Sequence, residues 1–211
     1  MVVFQVDDLK ITAQQGRNLL SVCLENDIYI PHLCFMEDGR RPAAACRLCF
    51  VEIQGRPVAA CTVCVSSGLQ VCTDTPAVRR LQRAALRLLL SVHDIDCRHC
   101  HANHACELQK IARFLKLGLT PKPLANIGRP AEIDGRHPCI DHYPHRCVLC
   151  GKCVRICSGQ HKQPGLSFAG RGIDTVIRHY ALVGETLQIC QSCYRCIDVC
   201  PVGALRPSQS E

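Results

Sequence analysis

HRCVLCGKCVRIC at residues 145–157 and CQSCYRCIDVCPVGAL at residues 190–205 decide the fold of the C-terminal third of this chain. A shift of 43 positions carries Cys147, Cys150, Cys153 and Cys157 onto Cys190, Cys193, Cys196 and Cys200, so one metal-binding motif occurs twice. Three thiolates at i, i+3 and i+6 wrap a loop around one cubane, and the fourth cysteine points away to ligate the other cluster. The spacing therefore predicts one [4Fe–4S] cluster on Cys147, Cys150, Cys153 and Cys200. Its partner falls on Cys157, Cys190, Cys193 and Cys196. Pro201 supplies no N–H and stops the second helix. Zinc is the alternative ion, but it favours separated C-x2-C knuckles over a crossed, duplicated run.

Two further cysteine groups precede this repeat. Cys34-x11-Cys46-x2-Cys49 followed by Cys61 has the long loop, close pair and distal ligand of a [2Fe–2S] site. Ala43, Ala44 and Ala45 are small enough to let backbone amides approach the sulfurs. Cys64 competes with Cys61 for the fourth position. His93-x3-Cys97-x2-Cys100-x5-Cys106 is the third group: three cysteines leave a tetrahedral or cubane site one ligand short, and His93 can supply it, with His99, His101 and His104 as competing imidazoles. Cys23, Cys64, Cys72 and Cys139 are left over. Cys23 on an apolar helix face and Cys72 in a strand read as small buried hydrophobes.

Between these groups the chain alternates short strands and helices, an α+β pattern. Val2–Val6 and Leu9–Thr12 flank an Asp7-Asp8 turn, and Asn18 caps a helix over Leu19–Glu25. Ile28–Ile30 reads as a short strand before Pro31. Phe50–Ile53 and Val58–Ala60 read as a hairpin about Gln54-Gly55-Arg56. Thr75 and Pro76 open a helix whose inward stripe is Val78, Leu81, Ala85, Leu88 and Val92, with Arg79, Arg80, Arg83 and Arg87 largely off it. A second helix runs over Glu107–Leu117, with Leu108, Ile111 and Leu115 inward and Gly118 as its stop. Proline, glycine and polar residues mark 121–138 as a linker. The expected organisation is 1–77, 78–120, the linker 121–138, and 139–211.

Composition narrows the function classes. Nineteen of 211 residues are cysteine, while Phe and Tyr total nine and Trp is absent, so something covalent or coordinative must supplement a small core. The N-terminus lacks a basic segment followed by an apolar one, and no apolar run approaches a membrane span, so a cytoplasmic, reducing setting is expected. There the cysteines read as metal ligands. The net charge of +7 would suggest nucleic acid. Four thiolate-bound clusters, one with a histidine, carry formally about −7 together, so the basic side chains compensate the clusters. With few aromatics to stack on bases, nucleic acid is not expected as a partner.

IPHLCFMEDGRRPAAACRLCFVEI and CTVCVSSGLQVCTDTPAV resemble the [2Fe–2S] domain that opens the large iron–sulfur subunit of respiratory complex I, NAD-reducing hydrogenase diaphorase subunits and iron-only hydrogenases. HDIDCRHCHANHACELQ is similar to that family's segment for a cluster held by one histidine and three cysteines. The repeat is similar to its paired [4Fe–4S] segment. Ala45 stands in place of a glycine before Cys46, Cys64 in place of a proline, and Tyr194 in place of a glycine. The resemblance implies a β-grasp ferredoxin-like [2Fe–2S] domain, a small helical domain with the histidine-ligated cluster, and a bacterial-type two-[4Fe–4S] ferredoxin domain. No dinucleotide fingerprint or P-loop is present. The chain thus resembles the short, non-catalytic, electron-transferring diaphorase subunit of an NAD(P)-linked [NiFe] hydrogenase. Its implied partners are a flavin/NAD(P)-binding subunit and a hydrogenase small subunit. The same form suits a formate dehydrogenase or an electron-bifurcating complex, and a zinc-rich scaffold is the alternative of a different class.

Overall fold

Val2, Phe4 and Val6 turn inward while Val3 and Gln5 alternate with them, the period-two pattern of a strand with one face on a core. The computed structural model describes residues 1–120, 128, 132–137, 139–160, 165–179, 190 and 192–208. They form two compact units, Met1–Leu88 with Ile111–Gly118, and Leu89–Lys110 with the described part of 119–211. Among the described residues no helix is long and apolar enough to cross a membrane.

In the first unit β1 (Val2–Val6) pairs antiparallel with β2 (Leu9–Ala13) through the Asp7-Asp8 turn. A second hairpin joins β3 (Phe50–Ile53) to β4 (Arg56–Ala59), and Gln54 and Gly55 both take the positive φ that matches strand twist in a two-residue turn. β5 (Gln70–Cys72) runs parallel to β1 and antiparallel to β3, giving the mixed order β2-β1-β5-β3-β4. The helix α1 (Leu19–Glu25) buries Leu19, Leu20, Val22 and Cys23 in the core that also holds Phe4, Ile11, Val51 and Val71. Burial pushes the Cys23 thiol up to about 12.

Several local expectations are corrected here. Ile28–Ile30 is not a strand: the Ile28 N–H closes α1 on the Cys23 carbonyl at 2.9 Å, and Pro31 offers no donor to a ladder. The second hairpin ends at Ala59, because Ala60 opens the 3-10 turn Ala60–Thr62. Cys72 is exposed, since Val71 beside it takes the inward face of β5.

The helix α2 (Pro76–Leu90) starts where Thr75 Oγ1 accepts the Val78 N–H at 3.2 Å. Val78, Ala85 and Leu86 are buried, but Leu88 is 62% exposed and the polar Gln82 is 1% exposed. Gln82 takes the inward place because its amide donates to the Phe50 carbonyl at 2.9 Å and its oxygen accepts from Arg79. Arg79 in turn lies 4.6 Å over the Phe114 ring. The helix α3 (Glu107–Phe114) buries Leu108 and Ile111, and Leu115 just beyond it is buried too. Its stop is Lys116 with φ +50, two residues before Gly118; the Lys116 and Leu117 N–H groups satisfy the Arg113 and Ala112 carbonyls.

In the second unit β6 (Asp134–His137), β7 (Ile140–His142) and β10 (Leu205–Pro207) form a three-stranded sheet in the order β10-β7-β6. Residues 134–137, read from composition as linker, are therefore a strand. The linker positions 121–127, 129–131 and 138 lie outside the described residues. β8 (Leu166–Ala169) and β9 (Val176–His179) make a separate hairpin. The helix α4 (Lys152–Gln160) and the short helix Arg195–Asp198 each follow one cysteine loop of the repeat.

Candidate iron–sulfur sites

The repeat's two loops turn by the same device. Gly151 and Tyr194 are equivalent under the 43-residue shift, and both have positive φ, +75 and +46. Glycine adopts this freely, whereas tyrosine does so at a cost of about 1–2 kcal/mol. Behind the first loop α4 carries the fourth cysteine, Cys157, whereas the fourth cysteine of the second copy, Cys200, lies two residues past the short helix Arg195–Asp198. Cys153 and Cys157 are four apart on α4, so they are neighbours on its surface.

Two cavities result. One, of about 350 Å³ counting its mouth, is lined by Cys147, Cys150, Cys153 and Cys200 together with His142 and Ile177. The other, of about 370 Å³, is lined by Cys157, Cys190, Cys193 and Cys196 together with His137 and Ile140. The crossed sets read from the spacing thus meet around separate cavities. The sequence does not single out His137 and His142, because no spacing rule ties β6 and β7 to the cysteine loops. Burial, and then the neighbouring thiolates, push Cys150 and Cys196 up to about 12 and Cys190 up to about 11, with Cys153 raised as well. These are the shifts of buried thiols, and binding to a cationic centre requires their deprotonation.

In the first unit Cys34, Cys46, Cys49 and Cys61 are all buried, while Cys64 is exposed. Cys34 Sγ lies 3.4 Å from Cys46 Sγ and accepts the Cys46 N–H at 3.5 Å. The contact with Cys34 draws the Cys46 thiol down to about 5, and backbone N–H groups of Leu48, Cys34 and Leu33 help. Cys34 moves up by the same contact and by burial. Cys49 and Cys61 divide in the same way, Cys49 up and Cys61 down. The loop achieves this with Ala44 and Arg47 at positive φ. Asn18, which the sequence marks only as a helix cap, also holds the distal cysteine: its Oδ1 caps α1 at Leu20 and Ser21, and its Nδ2 donates to the Cys61 carbonyl at 2.6 Å. The Ala60 N–H on the Cys49 carbonyl at 2.8 Å joins the two segments.

For the third group, His93 is 7% exposed, whereas His99, His101 and His104 are more open to solvent. His93 Nδ1 lies 2.8 Å from the Arg146 carbonyl, so Nδ1 carries the proton and Nε2 keeps its lone pair for a ligand. Burial lowers its pKa, favouring the neutral ring a metal requires. Cys97 and Cys100 are half-buried and Cys106 is buried; the Cys106 thiol is raised by burial, and the charges of Cys100 and Cys97 add to that. Gly203, at φ +65, lets the repeat's C-terminal segment approach this loop: a Cβ there would stand 2.6 Å from Ala102 Cβ and 3.4 Å from Cys100 Sγ. Among the described residues no three His, Cys, Asp or Glu side chains converge as a single-ion site.

Comparison with known proteins agrees in order along the chain. Residues 1–76 match a 2Fe-2S iron-sulfur cluster binding domain, 82–118 an NADH-ubiquinone oxidoreductase-G iron-sulfur binding region, and 146–204 a 4Fe-4S dicluster domain. The NADH-ubiquinone oxidoreductase 75 kDa subunit of Reclinomonas americana is 31% identical over 97% of this chain and 29% of its own length. NADP-reducing hydrogenase subunit HndD of Solidesulfovibrio fructosivorans is 29% identical over 97% of this chain and 36% of its own. The chain therefore spans about a third of the length of these curated relatives. A chain of an NAD+-reducing [NiFe]-hydrogenase, crystallised in the H2-reduced state, superposes with a TM-score of 0.86 at 30% identity, covering 99% of this chain and 88% of that one. With a [2Fe–2S]-binding domain at one end, a [4Fe–4S] dicluster domain at the other and the NADH-ubiquinone oxidoreductase-G iron–sulfur region between them, the chain belongs to the family of electron-transferring iron–sulfur subunits of NAD(P)-linked oxidoreductases.

Proposed function

We propose that this chain is a non-catalytic electron conduit, relaying electrons in the cytoplasm between a flavin- and NAD(P)-binding subunit and a [NiFe] hydrogenase module. The observation that carries the reading is the pair of cavities lined by crossed cysteine quartets. The crossed, duplicated ligand pattern supports a cluster over zinc, which favours separated C-x2-C knuckles. The assignment is one [2Fe–2S] cluster on Cys34, Cys46, Cys49 and Cys61, and three [4Fe–4S] clusters. These are held by His93, Cys97, Cys100 and Cys106; by Cys147, Cys150, Cys153 and Cys200; and by Cys157, Cys190, Cys193 and Cys196. The sheet order β2-β1-β5-β3-β4 with one packed helix supports a β-grasp for residues 1–77, and the matches at 82–118 and 146–204 support the two later domains at 78–120 and 139–211. Clusters of this kind take up and release one electron at a time. The chain's own residues hold them, aim backbone N–H groups at the ligand sulfurs and keep water away. A hydrogenase is favoured because a chain of an NAD+-reducing [NiFe]-hydrogenase superposes on 99% of this chain with a TM-score of 0.86.

Anaerobically purified protein should contain about 14 iron and matching sulfide per chain. Iron near four, or stoichiometric zinc, counts against the assignment. Dithionite should reduce the isolated chain, whereas NADH or hydrogen should do so only after the flavin subunit or the hydrogenase module is added. Sustained NADH oxidation or hydrogen uptake by the chain alone would overturn the conduit reading.

A further inference from the structure

Arg146 is a cation in an unusual place. It is 8% exposed, and a guanidinium keeps its charge wherever it is put. Its main-chain carbonyl accepts from His93 Nδ1 at 2.8 Å, and its Nη2 donates to the His99 carbonyl at 3.4 Å, inside the Cys97–Cys100 turn. Cys147 follows it directly in the chain. One residue thus touches the histidine-bearing group with both backbone and side chain, and borders the Cys147 quartet through the peptide bond. Its Cζ lies 4.8 Å over the Tyr143 ring, and Arg206 lies 5.2 Å over the same ring.

The two arginines differ in what balances them. Arg206 is paired with Asp141 at 3.3 Å. Among the described residues no carboxylate lies within ion-pair distance of Arg146; exposed Asp96 feels its charge only at longer range. A buried charge without a counter-ion is costly, so an anion is expected beside it. Thiolate-bound clusters on either side would supply that anion, and each becomes one unit more negative when reduced.

We propose that Arg146 is a positioning residue that raises the reduction potentials of the two [4Fe–4S] clusters beside it, the one on His93, Cys97, Cys100 and Cys106 and the one on Cys147, Cys150, Cys153 and Cys200. The inference rests on the ligand assignment above. Its fixed charge favours the added electron at both sites, while its carbonyl holds the His93 ring. Because the carbonyl survives any substitution, side-chain variants separate the charge from the tether.

The test is redox titration followed by electron paramagnetic resonance on anaerobic holoprotein, wild type beside Arg146→Gln, Arg146→Met, Arg146→Lys and Arg206→Met, with iron counted in each. Wild-type protein without about 14 iron would fail the ligand assignment itself, before any potential is compared. Given loaded protein, Gln and Met should move two of the three [4Fe–4S] midpoints to more negative values, Lys should keep them near wild type, and Arg206→Met should move them less. If both neutral variants lose those two clusters while Lys retains them at wild-type potentials, the same charge requirement is read from iron content. Unmoved midpoints in a loaded neutral variant, or Lys displaced as far as Gln, would overturn the proposal.

Discussion

Cys61 and Cys64 are three residues apart, and the backbone treats them oppositely. The 3-10 turn at Ala60–Thr62 buries Cys61 beside Cys49, whereas Cys64 bridges Asn18 and stays exposed. Cys61→Ser should abolish the [2Fe–2S] resonance, and Cys64→Ser should leave its intensity within about 20% of wild type, since an exposed thiol away from the ligand set costs little to replace. Loss of the signal in Cys64→Ser, with retention in Cys61→Ser, would exchange the two. Spacing alone leaves both open because either fits after a long loop. Asn18 is readable as a helix cap, but not as the anchor of Cys61, since its second hydrogen bond spans 43 positions of chain. His93 stands out in the sequence for a plainer reason, as a histidine shortly before three cysteines, but its hydrogen bond to the Arg146 carbonyl spans 53 positions and has no local signal.

Among the elements, α2 shows where periodicity misleads. Counting apolar residues puts Leu88 inward, but the helix is rotated so that Gln82 reaches the Phe50 carbonyl. A hydrogen bond to a distant strand outweighs one more leucine on the buried stripe, and periodicity carries no signal for it. Gln82→Ala should destabilise the first unit by about 1–3 kcal/mol, because it leaves buried polar groups without their partner. The measurement is the urea concentration at which the visible circular dichroism of the [2Fe–2S] site disappears. An unchanged midpoint would mean that the amide contributes nothing net. The end of α3 teaches a similar lesson. Glycine is the expected stop, yet Lys116 takes the left-handed position because Leu115 must be buried first and the turn follows at once.

At the scale of the whole molecule, the C-terminal repeat is the most legible part, because thiolate spacing is a covalent ruler independent of packing. The distribution of helices between the two units is not legible, since a helix belongs to whichever core buries it, and both α2 and α3 contribute residues to each unit. α4 makes a further prediction specific to the crossed arrangement, because it carries Cys153 of one quartet and Cys157 of the other. Cys157→Ser should therefore lower iron by more than the four atoms of one cluster, as α4 loosens and the neighbouring site loads poorly. Iron analysis with quantitative resonance intensities checks this; a clean loss of one cluster with the other unaltered would show the sites to be independent.

The crossing also bears on ancestry. A single copy of the repeated motif provides three walls of one cavity and only a corner of the other, so one copy alone encloses nothing. Two identical peptides related by a twofold axis would complete both cavities at once, each lending its fourth cysteine to the other. Fusion of the two genes would then turn an intermolecular exchange into an internal one, freeing each half to drift. Tyr194 opposite Gly151 is a difference of the kind such drift would leave, a side chain at positive φ where its twin has the residue that fits without strain.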